Sequence, residues 1–276
     1  MRVVERFAAG VRGQPAGLAC PELLPVRLAR AAVRVLPGVA GAGISVLADP
    51  GMRVPLGASD DDAATAERLQ FTVGEGPCLQ AHASARPVYA PAAVFAARWP
   101  LLYQELTART PYRAVLAVPL RYRFTGFGAL DLYLRGDDPI PPVTGYDAYA
   151  IGNEVVAALT GPDGMDRATR PDGGTASGWL DSPAAQRRQC VWAAVGMLSV
   201  HLDLPTPAAL DVLRAAAWQP GPTDRRPGRG PRQPAAPDHR PAILRQPRRL
   251  RWSWPALRGG GRVESRRQAA IGRVVG

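Results

Sequence analysis

The sequence predicts an α+β fold, an antiparallel sheet with helices packed against it, and three observations carry that expectation. Two pairs of apolar runs, 42–48 with 52–58 and 112–122 with 124–134, are each joined by a short connection, the pattern of β-hairpins. Helically spaced apolar residues precede the first pair, lie between the two pairs and follow the second. The hydrophobic fraction is 46%, ample for a buried core, yet no stretch approaches the roughly 20 consecutive apolar residues of a membrane span.

Taken in order, Glu22 to Leu36 places Leu24, Leu28, Ala31, Ala32 and Val35 on one helical face, and Pro37-Gly38 ends that helix. Ala42 to Ala48 reads as a core strand, Asp49-Pro50-Gly51 as a turn and Met52 to Ala58 as the returning strand. Asp60 to Asp62 caps a short helix through Ala63 to Leu69. The organising stretch is Leu69 to Gln80, LQFTVGEGPCLQ. Its glycines free the backbone for positive φ, and Pro77 suits the first turn of a new helix, with Glu75 near that helix start.

Helix is expected next over Cys78 to Ser84, then an extended piece at Pro87 to Ala90 and a helix from Trp99 to Thr107. Tyr112 to Tyr122 reads as a strand in which Pro119 marks an edge or bulge, with Phe124 to Leu134 as its partner. Gly126 and Gly128 suggest a bulge or a close backbone approach. Strand alternation puts Ala129, Asp131 and Tyr133 on one face and Leu130, Leu132 and Leu134 on the core face. Tyr146 to Leu159 closes the unit as a helix, with Tyr149, Val156 and Leu159 among its contacts.

Charge and reactive residues exclude several classes. From Met1 to Trp218 the chain holds 20 arginines against 20 acidic residues; from Gln219 onward it holds 14 against 3, which accounts for the whole net charge of +11. Lysine is absent, pointing to a GC-rich coding sequence rather than to arginines selected for nucleic acid. Cys20, Cys78 and Cys190 are widely spaced, as are His82, His201 and His239, so no disulfide framework, metal site or catalytic constellation is expected. The start MRVVERFAAGVRG lacks a continuous apolar core, so no secretory signal is read there and the expected compartment is the cytoplasm.

The strings LQFTVGEGPCLQA, RWP, RAVLAVPL and GALDLYL, in this order, resemble the GAF domains of actinobacterial regulators, small-molecule-sensing relatives of the PAS fold. The resemblance covers residues 21–160 and implies a sensory pocket between the sheet and the helices above it, with the ligand unspecified. Glu75, Cys78, Trp99, Tyr103, Asp131 and Tyr133 are the candidate lining residues, a few polar groups among aromatics. No cofactor is expected. An alternative reading is a GAF-fold enzyme reducing methionine sulfoxide, which requires a reactive thiolate and a resolving cysteine. A third is a ligand-free interaction domain.

Residues 161–179, rich in Gly, Pro, Asp, Thr and Ser, read as a flexible linker. Ser182-Pro183 starts a helix whose seam is Val191, Ala194, Val195, Leu198 and Leu202; Thr206-Pro207 starts another with Leu210, Leu213, Ala217 and Trp218 on its apolar side. Val191 to Trp218 is similar to the first two helices of ANTAR domains, RNA-binding antitermination modules, so residues 180–218 read as a partial ANTAR-like unit. Gly196 in mid-helix suggests a close helix–helix approach. Arg187, Arg188, Gln189 and His201 on the polar side of the first helix, and Arg214 on the second, are candidate RNA contacts.

A third helix does not follow. Residues 219–276 contain nine prolines without apolar periodicity and are expected to be disordered, either as an arginine-rich arm or as the product of a frame shift near Trp218, the favoured reading. Two helices alone leave an apolar stripe, so a homodimer is expected. The sequence thus points to a cytoplasmic regulator that senses a small molecule and acts on RNA.

Overall fold

The computed structural model describes residues 2–47, 53–122, 125–136, 142–161, 178–179 and 182–218. The expected turn at 49–51, most of the expected linker and the whole expected tail lie outside the described residues.

The elements are α1 (Val3–Arg12), α2 (Leu24–Val35), β1 (Gly41–Leu47), β2 (Arg53–Ala58), α3 (Asp61–Val73), α4 (Pro77–Ser84), β3 (Val88–Ala90), α5 (Ala92–Arg98), α6 (Pro100–Arg109), β4 (Ala114–Tyr122), β5 (Thr125–Leu134), α7 (Pro142–Thr160), α8 (Pro183–Leu202) and α9 (Thr206–Ala217). The five strands form one antiparallel sheet in the order β2-β1-β5-β4-β3. The α+β class expected from the sequence is the class observed, with helices on both faces of the sheet.

Alternation decides which face each residue serves. Ile44, Leu116, Val118, Leu130 and Leu132 pack against α1, α2 and α7, whose Phe7, Leu28 and Ile151 are buried in the same core. Val115, Ala117, Ala129 and Tyr133 face the other way, beneath α3 to α6. Pro119 is tolerated inside β4 because β3 pairs only with Val115 to Ala117, leaving β4 single-sided at Pro119. A bulge at Leu120/Arg121 lies opposite Gly126 to Gly128.

Three expectations about helices change. The helix α1 was not expected; it is anchored by one buried aromatic, Phe7, too sparse a signal to stand out in sequence. Ala92–Arg98 also folds as a helix, nucleated around buried Phe95. Tyr149 is exposed rather than packed, while Val155, Val156 and Leu159 make the α7 contact.

At the organising stretch, α3 is capped by Asp60, whose carboxylate accepts from the Ala63 N–H at 2.9 Å, and runs four residues past the expected end at Leu69. Gly74 (φ 81°) closes it in the left-handed region, Gly76 (φ 147°) redirects the chain, and Pro77 opens α4.

Ser182 caps α8 as its sequence suggests, accepting from the Ala185 N–H. The α8–α9 pair packs onto the outer side of α3: Val195, Ala209 and Leu210 bury Phe71. Part of the expected apolar stripe is therefore covered within the chain itself. Leu202, expected in the α8 seam, and Ala217, expected on the apolar side of α9, are exposed, and Met197, Val200 and Val212 are exposed as well. Gly196 makes no close approach, since a Cβ built there meets nothing within 4 Å. No helix among the described residues is long and apolar enough to cross a membrane.

Candidate functional site

Two polar constellations stand out, and α3 belongs to both. The first is buried between the sheet and the α3–α4 corner. Arg53 at the start of β2 is only 2% exposed, and its guanidinium reaches across β1, above Ser45 and Gly43, to the carboxylates of Glu67 on α3 and Asp131 on β5. The Arg53–Asp131 contact is 3.2 Å, and a second Arg53 N–H donates to the Glu67 carbonyl at 2.8 Å. Ser45 Oγ and Tyr133 Oη donate to the two oxygens of Glu67 at 2.6 and 2.7 Å. Gln70, one helical turn on from Glu67, donates to Asp131 at 2.8 Å and to Tyr133 Oη at 2.9 Å, and its side-chain Oε1 accepts from the Cys78 N–H at 3.4 Å.

Small residues make this crossing possible. A Cβ at Gly43 would lie 2.3 Å from the Glu67 carboxylate oxygen, so a side chain there displaces the acid. Burial raises the Asp131 pKa well above the usual carboxylate range; nearby Glu67 adds to the rise, and Arg53 and Gln70 oppose it. Arg53 is therefore shared by two carboxylates, with Glu67 its closer partner. For Arg53, burial disfavours the cation, but Cys78, Glu67, Asp131 and Tyr133 more than offset it and its pKa rises. Burial likewise pushes the Cys78 thiol and the Tyr133 hydroxyl upward, with Arg53 opposing both.

Of the six expected lining residues, Asp131, Tyr133 and Cys78 meet at this cluster. Trp99 and Tyr103 lie in the adjoining aromatic group on the same face, each against Phe95 with ring centroids 5.9 and 5.4 Å apart. Glu75 is exposed on the α3–α4 turn and lies outside the cluster. Sequence reading missed Arg53, Glu67, Gln70 and Ser45. The signal available was Asp131 itself: a carboxylate within an apolar strand demands a cation or donors, and Glu67 and Gln70 share a helix face.

The second constellation is an open cleft of about 500 Å³ where β2, α2 and α3 meet α8 and α9. Its lining includes Arg30, Arg68, Arg187, Arg188 and Arg214. Arg188, expected on the polar side of α8, is instead 8% exposed with its guanidinium over the Phe71 ring, 3.4 Å from the centroid. Arg214 also turns inward, donating to the Phe71 carbonyl at 3.1 Å and pairing with Asp211 at 3.2 Å. Arg187, Gln189 and His201 are exposed along α8. Burial, together with Arg53 and Arg214, lowers the Arg188 pKa to about 10. Among the described residues no group of three or more His, Cys, Asp or Glu is placed to hold a metal ion.

No protein-family model matches the chain, and no curated protein matches it. Solved structures similar to it include the GAF domain of an Acinetobacter phosphoenolpyruvate-protein phosphotransferase (10% identity, TM-score 0.42, covering 58% of this chain and 92% of that one). A GAF domain from the corresponding Coxiella burnetii protein is 15% identical (TM-score 0.41, 58% and 92% covered). The fRMsr of Staphylococcus aureus, in complex with its substrate, is 13% identical (TM-score 0.41, 57% and 94% covered).

Proposed function

We propose that this chain is a ligand-responsive regulator in which a GAF-like sensory module governs a C-terminal helix pair that binds RNA in the manner of GAF–ANTAR regulators. The observation that carries the reading is the packing of α8–α9 on Phe71, a residue of α3, the helix that also supplies Glu67 and Gln70 to the buried cluster. A change of α3 position on ligand binding therefore reaches the helix pair directly. The size of the response is bounded by the ligand's differential affinity for the docked and released states.

RNA contact falls to the exposed Arg187, Gln189 and His201 in the docked state, and Arg188 and Arg214 join them only on release. Exposed Met197, Val200 and Leu202 on α8 form the surface through which a second copy pairs. The second reading is thiol-redox chemistry. Cys78 is buried with its thiol pKa raised, the reverse of an activated nucleophile, and Cys20 and Cys190 are exposed.

Selection from a random RNA pool with the full chain tests the proposal. Enrichment of a structured hairpin, lost in Arg187→Ala together with His201→Ala, is expected; a pool no different from its input would sink it. Methionine sulfoxide turnover abolished by Cys78→Ser would replace it with the enzyme reading.

A further inference from the structure

Among the described residues Arg188 is a buried cation without an ion pair. No carboxylate among them pairs with it, its Nε has no hydrogen-bond partner, and its guanidinium sits over the Phe71 ring. The acids of the cleft are engaged elsewhere, and Glu67 acts on Arg188 only at a distance. Asp60 is taken by the Ala63 N–H and the Tyr112 hydroxyl, Glu67 by Arg53, Ser45 and Tyr133, and Asp61 is exposed at the start of α3. Arg30, Arg68, Arg187 and Arg214 line the same cleft, so positive charge is in excess there although residues 1–218 are balanced as a whole. Val26, Leu56, Val191 and Leu213 supply apolar wall.

We propose that this cleft binds a small organic anion, a carboxylate or phosphate borne on an apolar body, with the Arg188 guanidinium as its central ligand. The planar guanidinium, its Cζ 3.4 Å from the Phe71 ring centroid, offers paired N–H donors in the geometry that carboxylate and phosphate oxygens accept. Arg214 and Arg187 close the site from α9 and α8, and Arg30 and Arg68 from α2 and α3. A bound anion offsets the repulsion between Arg188 and Arg214 and ties the helix pair to the sheet module, stabilising the docked state by mass action. The proposal deepens the sensor reading by naming its ligand class. It is testable without RNA, so its failure leaves RNA binding untouched and the reverse also holds.

The experiment is calorimetric titration and thermal shift of the full chain with benzoate, phenyl phosphate and, as the uncharged control, benzyl alcohol, at low salt. Benzoate or phenyl phosphate binds and raises Tm, the stronger of the two naming the acid class, while benzyl alcohol does neither. Arg188→Met keeps an apolar stem over Phe71 and weakens binding about ten- to hundredfold, the loss expected for a charge-assisted pair. Arg86→Met, on an exposed site outside the cleft, leaves it unchanged. Should Arg188→Met fail to fold, Arg214→Met carries the same expectation. Absence of binding by both anions at millimolar concentration, an equal response to benzyl alcohol, or undiminished affinity in the cleft variants overturns the proposal.

Discussion

Arg53 and Arg188 are the same side chain, one against Glu67 and the other against Phe71 a helical turn further along α3, and their surroundings drive them in opposite directions. Burial penalises both cations. Around Arg53 the chain supplies Glu67 and Asp131, and the guanidinium is held more firmly charged than in water. Around Arg188 it supplies an aromatic face and a second arginine, and the pKa falls to about 10. A buried charge held by two carboxylates is part of the architecture; one without an ion pair beside an open cleft is available to a ligand.

The largest expected effect breaks the first half of that contrast. Arg53→Met leaves the Glu67 carboxylate buried without its cation, and urea unfolding is expected to show a loss of about 3–5 kcal/mol. A loss below about 1 kcal/mol would mean that the cluster is not the compensated unit drawn from its geometry.

Asp131→Asn sharpens the charge assignment. Burial raises the folded-state pKa of Asp131 above its ordinary value near 4, so that group's contribution is fully present below the ordinary value and is lost as pH rises through the raised one. Asparagine keeps an acceptor for Gln70 and Arg53 and places its amide at the Oδ1 position, which has no partner among the described residues. The variant should gain on the native chain as pH rises above about 5, by about 1.4 kcal/mol per pH unit within that window. Parallel stability curves would show that Asp131 is ionised in the fold.

Gly43→Ala tests the crossing of β1. The new methyl meets the Glu67 carboxylate, and overpacking of this kind costs about 1–3 kcal/mol, read as a fall in the urea midpoint. An unchanged midpoint would show that Glu67 can move aside freely.

The smallest effect belongs to the other arginine. Arg188→Met removes an uncompensated charge and a contact with Phe71 that largely offset each other, so stability without ligand stays within about 1 kcal/mol of the native chain. A loss comparable to that of Arg53→Met would erase the distinction between the two sites.

Much of the module was legible from local rules. The Asp60 cap, the Gly74 to Pro77 corner, the two hairpins and the two faces of β5 follow from turn chemistry and period-two alternation, which act over a few residues. The Ser182 cap and the start of α8 were equally local. The candidate site was legible only in part: Asp131 announced a need for partners, and Tyr133 and Cys78 lay within reach of the same corner.

The identity of those partners was not written locally. Arg53 and Asp131 are 78 residues apart and on strands separated by β1, so nothing short of the sheet order and register could join them. The inward turn of Arg188 and Arg214 was decided in the same way, by where α8–α9 dock on Phe71, a contact between segments more than a hundred residues apart. The sequence by itself determined the α+β class, the caps and corners and the face each strand residue takes, because those depend on backbone sterics and periodicity. Only the tertiary structure decided which buried charges are satisfied and which are left facing the cleft, because electrostatic compensation depends on distances in space that no spacing along the chain encodes.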